Sequence, residues 1–298
     1  MENLFDAFGI STYHAIGIKG QGVSIMVIDT GMSSATFSHL PKNAKHGLAV
    51  SSILSGADTI PGICPMAKIE MLDLQDSKNI PMSKVLRAIE LALNQNFDIL
   101  SISLGTTDSW EPMQELIEKA LQQDMLVFAA AGNSGDRGYE YPAACKGAIS
   151  VASMNFSRQP SAFNTRNDAT VIFAPGEELQ LSLGNGNLAH FSGTSFATPF
   201  AAGLAALILS KKRFDAEKTE KTKEFSKVFI PRAEMILLLR DMDHLGLNCT
   251  THTYVMESTC TETRYVNRER EKIPIHYGML LLLLFIVSYF AYSVKCTL

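Results

Sequence analysis

The amino-acid sequence predicts an α/β fold in which a mostly parallel central sheet is covered by helices. Continuous apolar runs rich in Val, Ile and Ala have the composition of buried parallel strands. Segments with one apolar face at helical spacing lie between these runs. A repeated order of strand and helix favours one parallel sheet with helices on both faces. The predicted strands are residues 23–28, 67–74, 99–104, 125–131, 149–152 and 170–173.

The predicted helices lie around and between these strands. Residues 1–22 read as a helical lead-in that ends in a glycine-rich turn. The run 201–209 is rich in Ala and Leu, as in a buried helix. The charge-rich segment 211–227 is typical of a solvated surface insertion. The remaining helices are predicted at residues 46–54, 81–97, 110–123 and 231–245.

Length and composition favour one large globular domain with an appendage. The chain has 298 residues, of which 46% are hydrophobic and 19% are charged. The net charge of -4 gives no reason to expect a nucleic-acid partner. The cysteines are scattered and lack a metal-binding spacing. Cys64 and Cys145 lie in apolar contexts typical of buried thiols, whereas Cys249 and Cys260 would pair only in an oxidising compartment.

The C-terminal run 278–294 contains no charged residue and indicates a transmembrane helix. At about 1.5 Å per residue it would span roughly 25 Å, slightly less than the hydrocarbon core of a bilayer. A buried core helix is the alternative interpretation of the same run. The predicted organisation is a globular domain at 1–246, a polar linker at 247–276, the transmembrane helix at 277–294 and a short tail at 295–298.

The charges around this run predict its orientation. The first residues of the chain lack the basic and apolar regions of a secretory signal. Arg264, Arg268, Arg270 and Lys272 lie on the domain side of the run, in agreement with the positive-inside rule. We therefore expect a single-pass membrane protein that is anchored in the lipid bilayer by its C-terminal helix, with the globular domain in the cytosol.

Three polar residues with a neighbouring glycine stand at the ends of predicted elements. Asp29 follows the first strand, where open α/β sheets place functional groups, although an Asp also commonly begins a turn. His46 stands at the start of a helix, where a structural role is the alternative. Ser195 precedes the Ala-rich helix. There, free backbone N–H groups favour developing negative charge, or the hydroxyl acts only as a helix cap.

These residues belong to four motifs that follow one another in a characteristic order. With them, the chain from about Gly9 to Gly246 resembles the subtilisin-like serine proteases, or subtilases. The order Asp, His, Ser is that of the subtilisin type of triad. The resemblance implies the three-layer α/β fold of that family. The motifs are Asp29-Thr30-Gly31, His46-Gly47, Ala130-Ala131-Gly132-Asn133, and Gly193-Thr194-Ser195 with Ala197-Thr198-Pro199.

The resemblance implies a role for each residue of the candidate catalytic site. Ser195 would be the nucleophile, and His46 would be the base that takes its proton and passes it to the leaving amine. Asp29 would orient the imidazole of His46 and stabilise its charged form. Asn133 would donate its side-chain N–H to the tetrahedral oxyanion, together with the backbone N–H of Ser195.

The resemblance also implies where a substrate would bind. Two backbone segments would flank the substrate main chain and its primary specificity pocket. Glu140 has the position that lies at the base of this pocket in the family. A carboxylate there predicts a preference for Lys or Arg before the scissile bond. The alternative is that Glu140 points into solvent. The two segments are Ser103, Leu104 and Gly105, and Ala130, Ala131 and Gly132.

The sequence departs from the family pattern in two places. Gly-Leu-Ala-Val-Ser-Ser follows His46 where the family commonly has Gly-Thr-His-Val-Ala-Gly. Loops that hold calcium in relatives have no carboxylate-rich counterpart, so we predict no metal and no other cofactor.

The sequence therefore predicts a membrane-anchored serine endopeptidase that acts on proteins or peptides. The alternative is a non-catalytic relative that binds a peptide in the same groove. The enzyme is favoured, because a non-catalytic protein would not need to keep the three triad residues and Asn133. A lipase or esterase is disfavoured, because the triad order differs and no G-x-S-x-G elbow is present.

Overall fold

The computed structural model describes residues 2–31, 46–57, 60–74, 80–184, 186–219, 228–242, 252–254 and 267–269. The contacts divide the chain into two compact units, residues 1–247 and 248–298. The helices are α1 (Glu2–Ala7), α2 (Ile10–Ala15), α3 (His46–Ser55), α4 (Met82–Asn94), α5 (Glu111–Gln122), α6 (Thr194–Thr219) and α7 (Arg232–Met242). The strands are β1 (Ser24–Asp29), β2 (Gly56–Ala57), β3 (Ile60–Pro61), β4 (Lys68–Asp73), β5 (Ile99–Ile102), β6 (Leu126–Ala130), β7 (Ile149–Met154), β8 (Thr170–Pro175), β9 (Leu179–Ser182), β10 (Leu188–Phe191), β11 (His252–Tyr254) and β12 (Asn267–Glu269).

The first unit is built on a six-stranded sheet with the order β4-β1-β5-β6-β7-β8. Each neighbouring pair in this sheet is parallel. Strands β5, β6 and β7 are buried at every residue, which explains why their sequences are continuously apolar or small rather than alternating. The prediction of an α/β fold with a mostly parallel sheet is confirmed.

Helices cover both faces of this sheet. Because side chains alternate along a strand, Ile25 and Val27 of β1 pack into one apolar cluster, with α3 and α6. Met26 and Ile28 pack into a second cluster on the opposite face, with α4 and α5. The two clusters hold the sheet between helices, and all six strands present their carboxyl ends at the same edge.

Helix α6 corrects one prediction from the sequence. The segment 211–227 was expected to be a solvated insertion, but α6 continues to Thr219, and residues 220–227 lie outside the described residues. Arg213 in this extension forms two hydrogen bonds, of 2.7 and 3.1 Å, with the carboxylate of Asp98 just before β5. Only 12% of the Arg213 side chain and 7% of Asp98 are exposed. A paired charge can be buried where an isolated one cannot, and this pairing cannot be inferred from local charge density.

Two antiparallel hairpins were not predicted from the sequence. One pairs β9 with β10 and ends at Phe191, shortly before Ser195. The other pairs the two-residue strands β2 and β3 after α3. Their strands have two to four residues, which is too short for a periodic pattern to stand out.

One described helix, α6, is long and apolar enough by length and composition to cross a membrane, and 89% of its most apolar window is buried inside the protein. The predicted transmembrane helix at 277–294 lies outside the described residues, as do Cys249 and Cys260. In the second unit the described strands β11 and β12 form an antiparallel pair. Cys64 and Cys145 are buried free thiols, as predicted.

Candidate active site

The predicted catalytic residues lie at the carboxyl edge of the sheet and at the helix ends beside it. Asp29 is the last residue of β1, and Ser103 follows β5 directly. Asn133 comes three residues after the end of β6. His46 is the first residue of α3, and Ser195 is the second residue of α6. Because the strands are parallel, residues distant in sequence meet at one edge.

Asp29 and His46 are in direct contact. The Nδ1 of His46 lies 2.7 Å from Oδ1 of Asp29. The backbone N–H of Thr30 donates to the same oxygen at 2.5 Å. The backbone N–H of Gly47 donates to the carbonyl of Thr30 at 3.0 Å, so the start of α3 is tied to the turn that follows Asp29. With Nδ1 donating to Asp29, the Nε2 of a neutral His46 carries the lone pair that a general base needs.

The surroundings of this pair change both protonation equilibria. Burial alone would lower the pKa of His46, but the hydrogen bond and the negative charge of Asp29 raise it above its usual value. Burial raises the pKa of Asp29, against the opposing effect of its hydrogen bonds with His46 and Thr30. Only 2% of Asp29 is exposed, and its Oδ2 has no hydrogen-bond partner among the described residues. The site therefore holds a buried carboxylate whose main partner is the imidazole.

Ser195 is fixed through its backbone to the end of β5. Pro199 lies inside α6 and has no N–H to donate to the carbonyl of Ser195, four residues earlier. The hydroxyl of Ser103 donates to that carbonyl instead, at 2.7 Å. The hydroxyl of Ser195 donates to the carbonyl of Ser103 at 3.2 Å. The hydroxyl of Ser103 thus supplies the hydrogen bond that the carbonyl of Ser195 does not receive from Pro199. It also holds the first turn of α6 against the sheet.

The hydroxyl of Ser195 has no hydrogen bond to His46 in the described part of the chain. Phe196, the residue after Ser195, contacts His46, and the centroids of their rings are 5.1 Å apart. Phe196 is buried, and its ring also contacts Phe191 at 5.0 Å.

Asn133 is oriented by the helix that carries Ser195. The backbone N–H of Thr194 donates to Oδ1 of Asn133 at 2.8 Å. This contact occupies the amide oxygen and leaves the Nδ2 group to donate elsewhere. A Cβ placed on Gly193 would lie 3.7 Å from this Nδ2, so the amide N–H₂ is next to the loop that leads into Ser195. The arrangement suits a side-chain donor to an oxyanion formed at Ser195.

Glu140 lies between the two predicted substrate-binding segments. A Cβ added to Gly132 would be 2.3 Å from Cγ of Glu140, and one added to Gly105 would be 3.0 Å from its Oε2. Both glycines therefore leave room for this side chain. Glu140 is half-buried, and burial raises its pKa. No Lys or Arg of the described residues forms an ion pair with it.

The other residues of the two segments differ in exposure. Ala130 and Ala131 are buried, and the backbone N–H of Ala131 donates to the carbonyl of Val151. Leu104 is half-buried and packs against the α4–α5 cluster. The described residues contain no group of three or more His, Cys, Asp or Glu side chains that could hold a metal ion.

Two residues that support the site were missed in the sequence. Gly176 follows β8, and its carbonyl accepts a hydrogen bond from the N–H of Gly193 at 2.7 Å. A Cβ on Gly176 would lie 2.8 Å from the carbonyl oxygen of Gly193. Asp73, at the end of β4, accepts a hydrogen bond from the N–H of Gly31. A polar or glycine residue at the end of each predicted strand was the signal that could have indicated both.

Comparison with known proteins agrees with this geometry. The model of the subtilase family matches residues 33–228. The chain belongs to the subtilase family. The resemblance seen in the sequence motifs is thereby confirmed, and the order of Asp29, His46 and Ser195 along the chain is the order expected for subtilases.

Individual proteases match over about two thirds of the chain. Subtilisin E of Bacillus subtilis (strain 168) is 31% identical over 221 residues, which cover 66% of this chain and 58% of subtilisin E. The intracellular serine protease of Paenibacillus polymyxa is 32% identical over 238 residues, which cover 68% of this chain and 72% of that protein. The chain thus spans 58% of the length of several subtilisins that it matches.

Two solved protease structures share the fold. A cold-adapted subtilisin-like serine proteinase superposes with a TM-score of 0.56 at 26% identity, over 65% of this chain and 78% of that one. The prenylagaramide maturation protease PagA superposes with a TM-score of 0.63 at 24% identity, over 78% of this chain and 98% of that one. The second likeness concerns the fold alone.

Proposed function

We propose that this subtilase is a serine endopeptidase that hydrolyses peptide bonds in proteins or peptides. The observation that carries the proposal is the 2.7 Å contact between His46 and a buried Asp29, at the sheet edge where α6 presents Ser195. The pair supplies an oriented base, and membership of the subtilase family supplies the reaction class.

The roles of the residues follow from their contacts. Ser195 turns from Ser103 towards His46, and His46 accepts the hydroxyl proton at Nε2 as the oxygen attacks the carbonyl. Asp29 stabilises the imidazolium that forms, and Asn133 donates its Nδ2–H to the oxyanion. His46 then protonates the leaving amine, and a water molecule repeats the sequence on the acyl-enzyme.

A fluorophosphonate probe tests this function directly. The probe phosphonylates a serine oxygen only where a neighbouring base activates it, and fluoride leaves. We expect the folded full-length chain to be labelled, and mass spectrometry to place the label on Ser195. A folded chain that shows no labelling would contradict the enzymatic function and favour a non-catalytic peptide-binding subtilase.

We further propose that Glu140 gives this enzyme a preference for Lys or Arg before the scissile bond. The proposal is supported by the position of its carboxylate against Gly105 and Gly132, between the two segments assigned to the substrate. It is also supported by the lack of an ion-pair partner for Glu140 among the described residues. A cationic substrate side chain would supply that partner in a site partly shielded from water.

Replacing Glu140 with Gln is expected to remove this preference. The amide keeps the shape of the side chain and loses its charge. We expect the ratio of kcat/KM for Arg to that for Leu before the scissile bond to fall about 10- to 100-fold. Because burial raises the pKa of Glu140, the wild-type ratio should also decline as the pH is lowered towards that pKa.

The control variant is Glu115→Gln, which removes a charge from the exposed surface of α5. It should leave the Arg-to-Leu ratio unchanged. Equal cleavage after Leu and Arg by the wild-type enzyme would show that Glu140 does not determine specificity.

We also propose that the run 278–294 anchors the protein in a membrane, with the first unit on the cytosolic side. The support comes from the uncharged run and from the basic residues that precede it. Glycosylation mapping in cells tests the orientation, because Asn248-Cys249-Thr250 forms an acceptor sequon. An unmodified Asn248 in a membrane-bound chain is expected, and a glycan on Asn248 would place the first unit on the opposite side.

A further inference from the structure

The turn after Asp29 is held by a second carboxylate, that of Asp73. Strand β4 is the parallel neighbour of β1, and their register sets Asp73 opposite Asp29 at the carboxyl ends of the two strands. The backbone N–H of Leu74 donates to the carbonyl of Asp29 at 2.9 Å. The Oδ1 of Asp73 accepts the backbone N–H of Gly31 at 2.9 Å.

This turn contacts both members of the Asp29–His46 pair. Thr30 donates its N–H to Oδ1 of Asp29 and accepts the N–H of Gly47, the residue after His46. Gly31 has a φ of 80°, in the left-handed region that favours glycine. In that backbone geometry the Gly31 N–H donates to the carboxylate of Asp73 in a charge-assisted hydrogen bond.

We propose that Asp73 is a positioning residue for the catalytic base. It acts through the hydrogen bond to Gly31, which fixes the turn that sets Asp29 against Nδ1 of His46. It also adds a negative charge beside the pair, which favours the imidazolium formed during the reaction. The inference rests on the proposed endopeptidase function, in which His46 cycles between its neutral and charged forms.

The charged groups around the pair are few in the described structure. Besides Asp29 and His46 themselves, β1 and α3 carry no charged side chain, and β5 carries none. On β4, Lys68 and Glu70 pair with each other at 2.7 Å, towards the opposite end of the strand from Asp73. The charged residues of α6 begin at Lys211, more than four turns after Ser195. Among the charged residues named for these described elements, Asp73 is the one that lies at the carboxyl end of the strands, opposite Asp29.

Two substitutions separate the hydrogen bond from the charge. Asp73→Asn loses the charge but keeps an oxygen that can accept the Gly31 N–H, whereas Asp73→Ala loses both. We expect Asp73→Ala to lower kcat about tenfold with KM changed less than about twofold, and Asp73→Asn to keep kcat within about threefold. In both variants the acid limb of the kcat/KM profile should move to lower pH, because removal of a negative charge lowers the pKa of His46.

Nuclear magnetic resonance of labelled His46 gives a second readout that needs no turnover. The Nδ1–H proton, which is hydrogen-bonded to Asp29, should give a low-field resonance in wild type and in Asp73→Asn. In Asp73→Ala this resonance should broaden or shift. The midpoint of the His46 titration should fall in both variants. Glu70→Ala is the matched control on the same strand, and both its kcat and its His46 titration should equal those of wild type.

The result that overturns the proposal is an Asp73→Ala variant whose kcat, pH profile and His46 titration equal those of Glu70→Ala. Equal losses of kcat in the Asn and Ala variants, with unchanged pH profiles and a lowered Tm, would also overturn it and indicate a purely structural role. Failure of the endopeptidase function looks different. In that case the wild type shows no labelling of Ser195, while the His46 resonances still respond to the two substitutions as expected.

Discussion

Replacing Ser195 with Ala is expected to lower kcat for peptide hydrolysis by about 10⁶-fold, the size of loss measured when the triad serine of a subtilisin is removed. The reason is that, in the proposed mechanism, Ser195 supplies the oxygen that forms the acyl-enzyme. Its side chain makes one described hydrogen bond, to the carbonyl of Ser103. The fold therefore depends little on this hydroxyl, and Tm should change by only a few degrees.

The measurement is initial-rate kinetics with a fluorogenic peptide, together with labelling by the fluorophosphonate probe. Ser157→Ala is the control, because Ser157 is exposed in the turn after β7 and distant in sequence from the motifs. It should retain wild-type rates and labelling. Labelling or hydrolysis that survives in folded Ser195→Ala protein would show that another residue is the nucleophile.

Replacing Asp29 with Asn is expected to lower kcat by about 10⁴-fold while leaving the protein at least as stable at neutral pH. The neutral amide cannot stabilise the imidazolium of His46. It also no longer requires the Nδ1–H tautomer, so Nε2 is not reliably left free to accept the Ser195 proton. Asp29 is 2% exposed and its Oδ2 lacks a described partner, so the loss of its charge removes a desolvation cost.

The expected direction of the stability change follows from the pKa of Asp29. Burial raises that pKa above its ordinary value in the folded protein. The folded state therefore holds the proton more tightly than the unfolded state, and the free energy of unfolding falls as the pH rises from the unfolded pKa through the folded one. At pH 7 the ionised carboxylate is a net cost that Asn does not have. Thermal unfolding of both proteins between pH 4 and pH 8 measures this difference.

We expect the same pair to determine the pH dependence of wild-type activity. Asp29 raises the pKa of His46, so kcat/KM should increase with pH as His46 loses its proton, with a midpoint above the usual histidine value. In Asp29→Asn the midpoint should move to lower pH. A variant that loses activity, unfolds at lower temperature at pH 7 and keeps the wild-type midpoint would contradict the role given to Asp29.

The sequence predicted the site and the strands at positions where the chemistry or the burial requires a particular type of residue. Asp29, His46, Asn133 and Ser195 were assigned from their motifs, and the structure brings Asp29 against His46 and Asn133 against the start of α6. The buried strands were recognisable because a strand that is covered on both faces is apolar throughout. The family followed from the order of the motifs.

Contacts between distant segments could not be predicted in this way. Arg213 in the extension of α6 pairs with Asp98, which lies 115 positions earlier. A local count of charges predicts a solvent-exposed segment, because it cannot show that a distant carboxylate forms an ion pair with one of those charges. The hydroxyl of Ser103 matters because Pro199, almost a hundred residues away, has no N–H to donate to Ser195.

The side chains capable of chemistry could be identified in the sequence, because a nucleophile, a base and an oxyanion donor each require particular functional groups. How those groups are held depends on contacts that form only when the chain folds. Asp73 supports the turn after Asp29 because β4 lies beside β1, and Glu140 lies between Gly105 and Gly132 because neither glycine has a Cβ. Strand order and the space between backbones are properties of the folded chain as a whole, and no local pattern of residues records them.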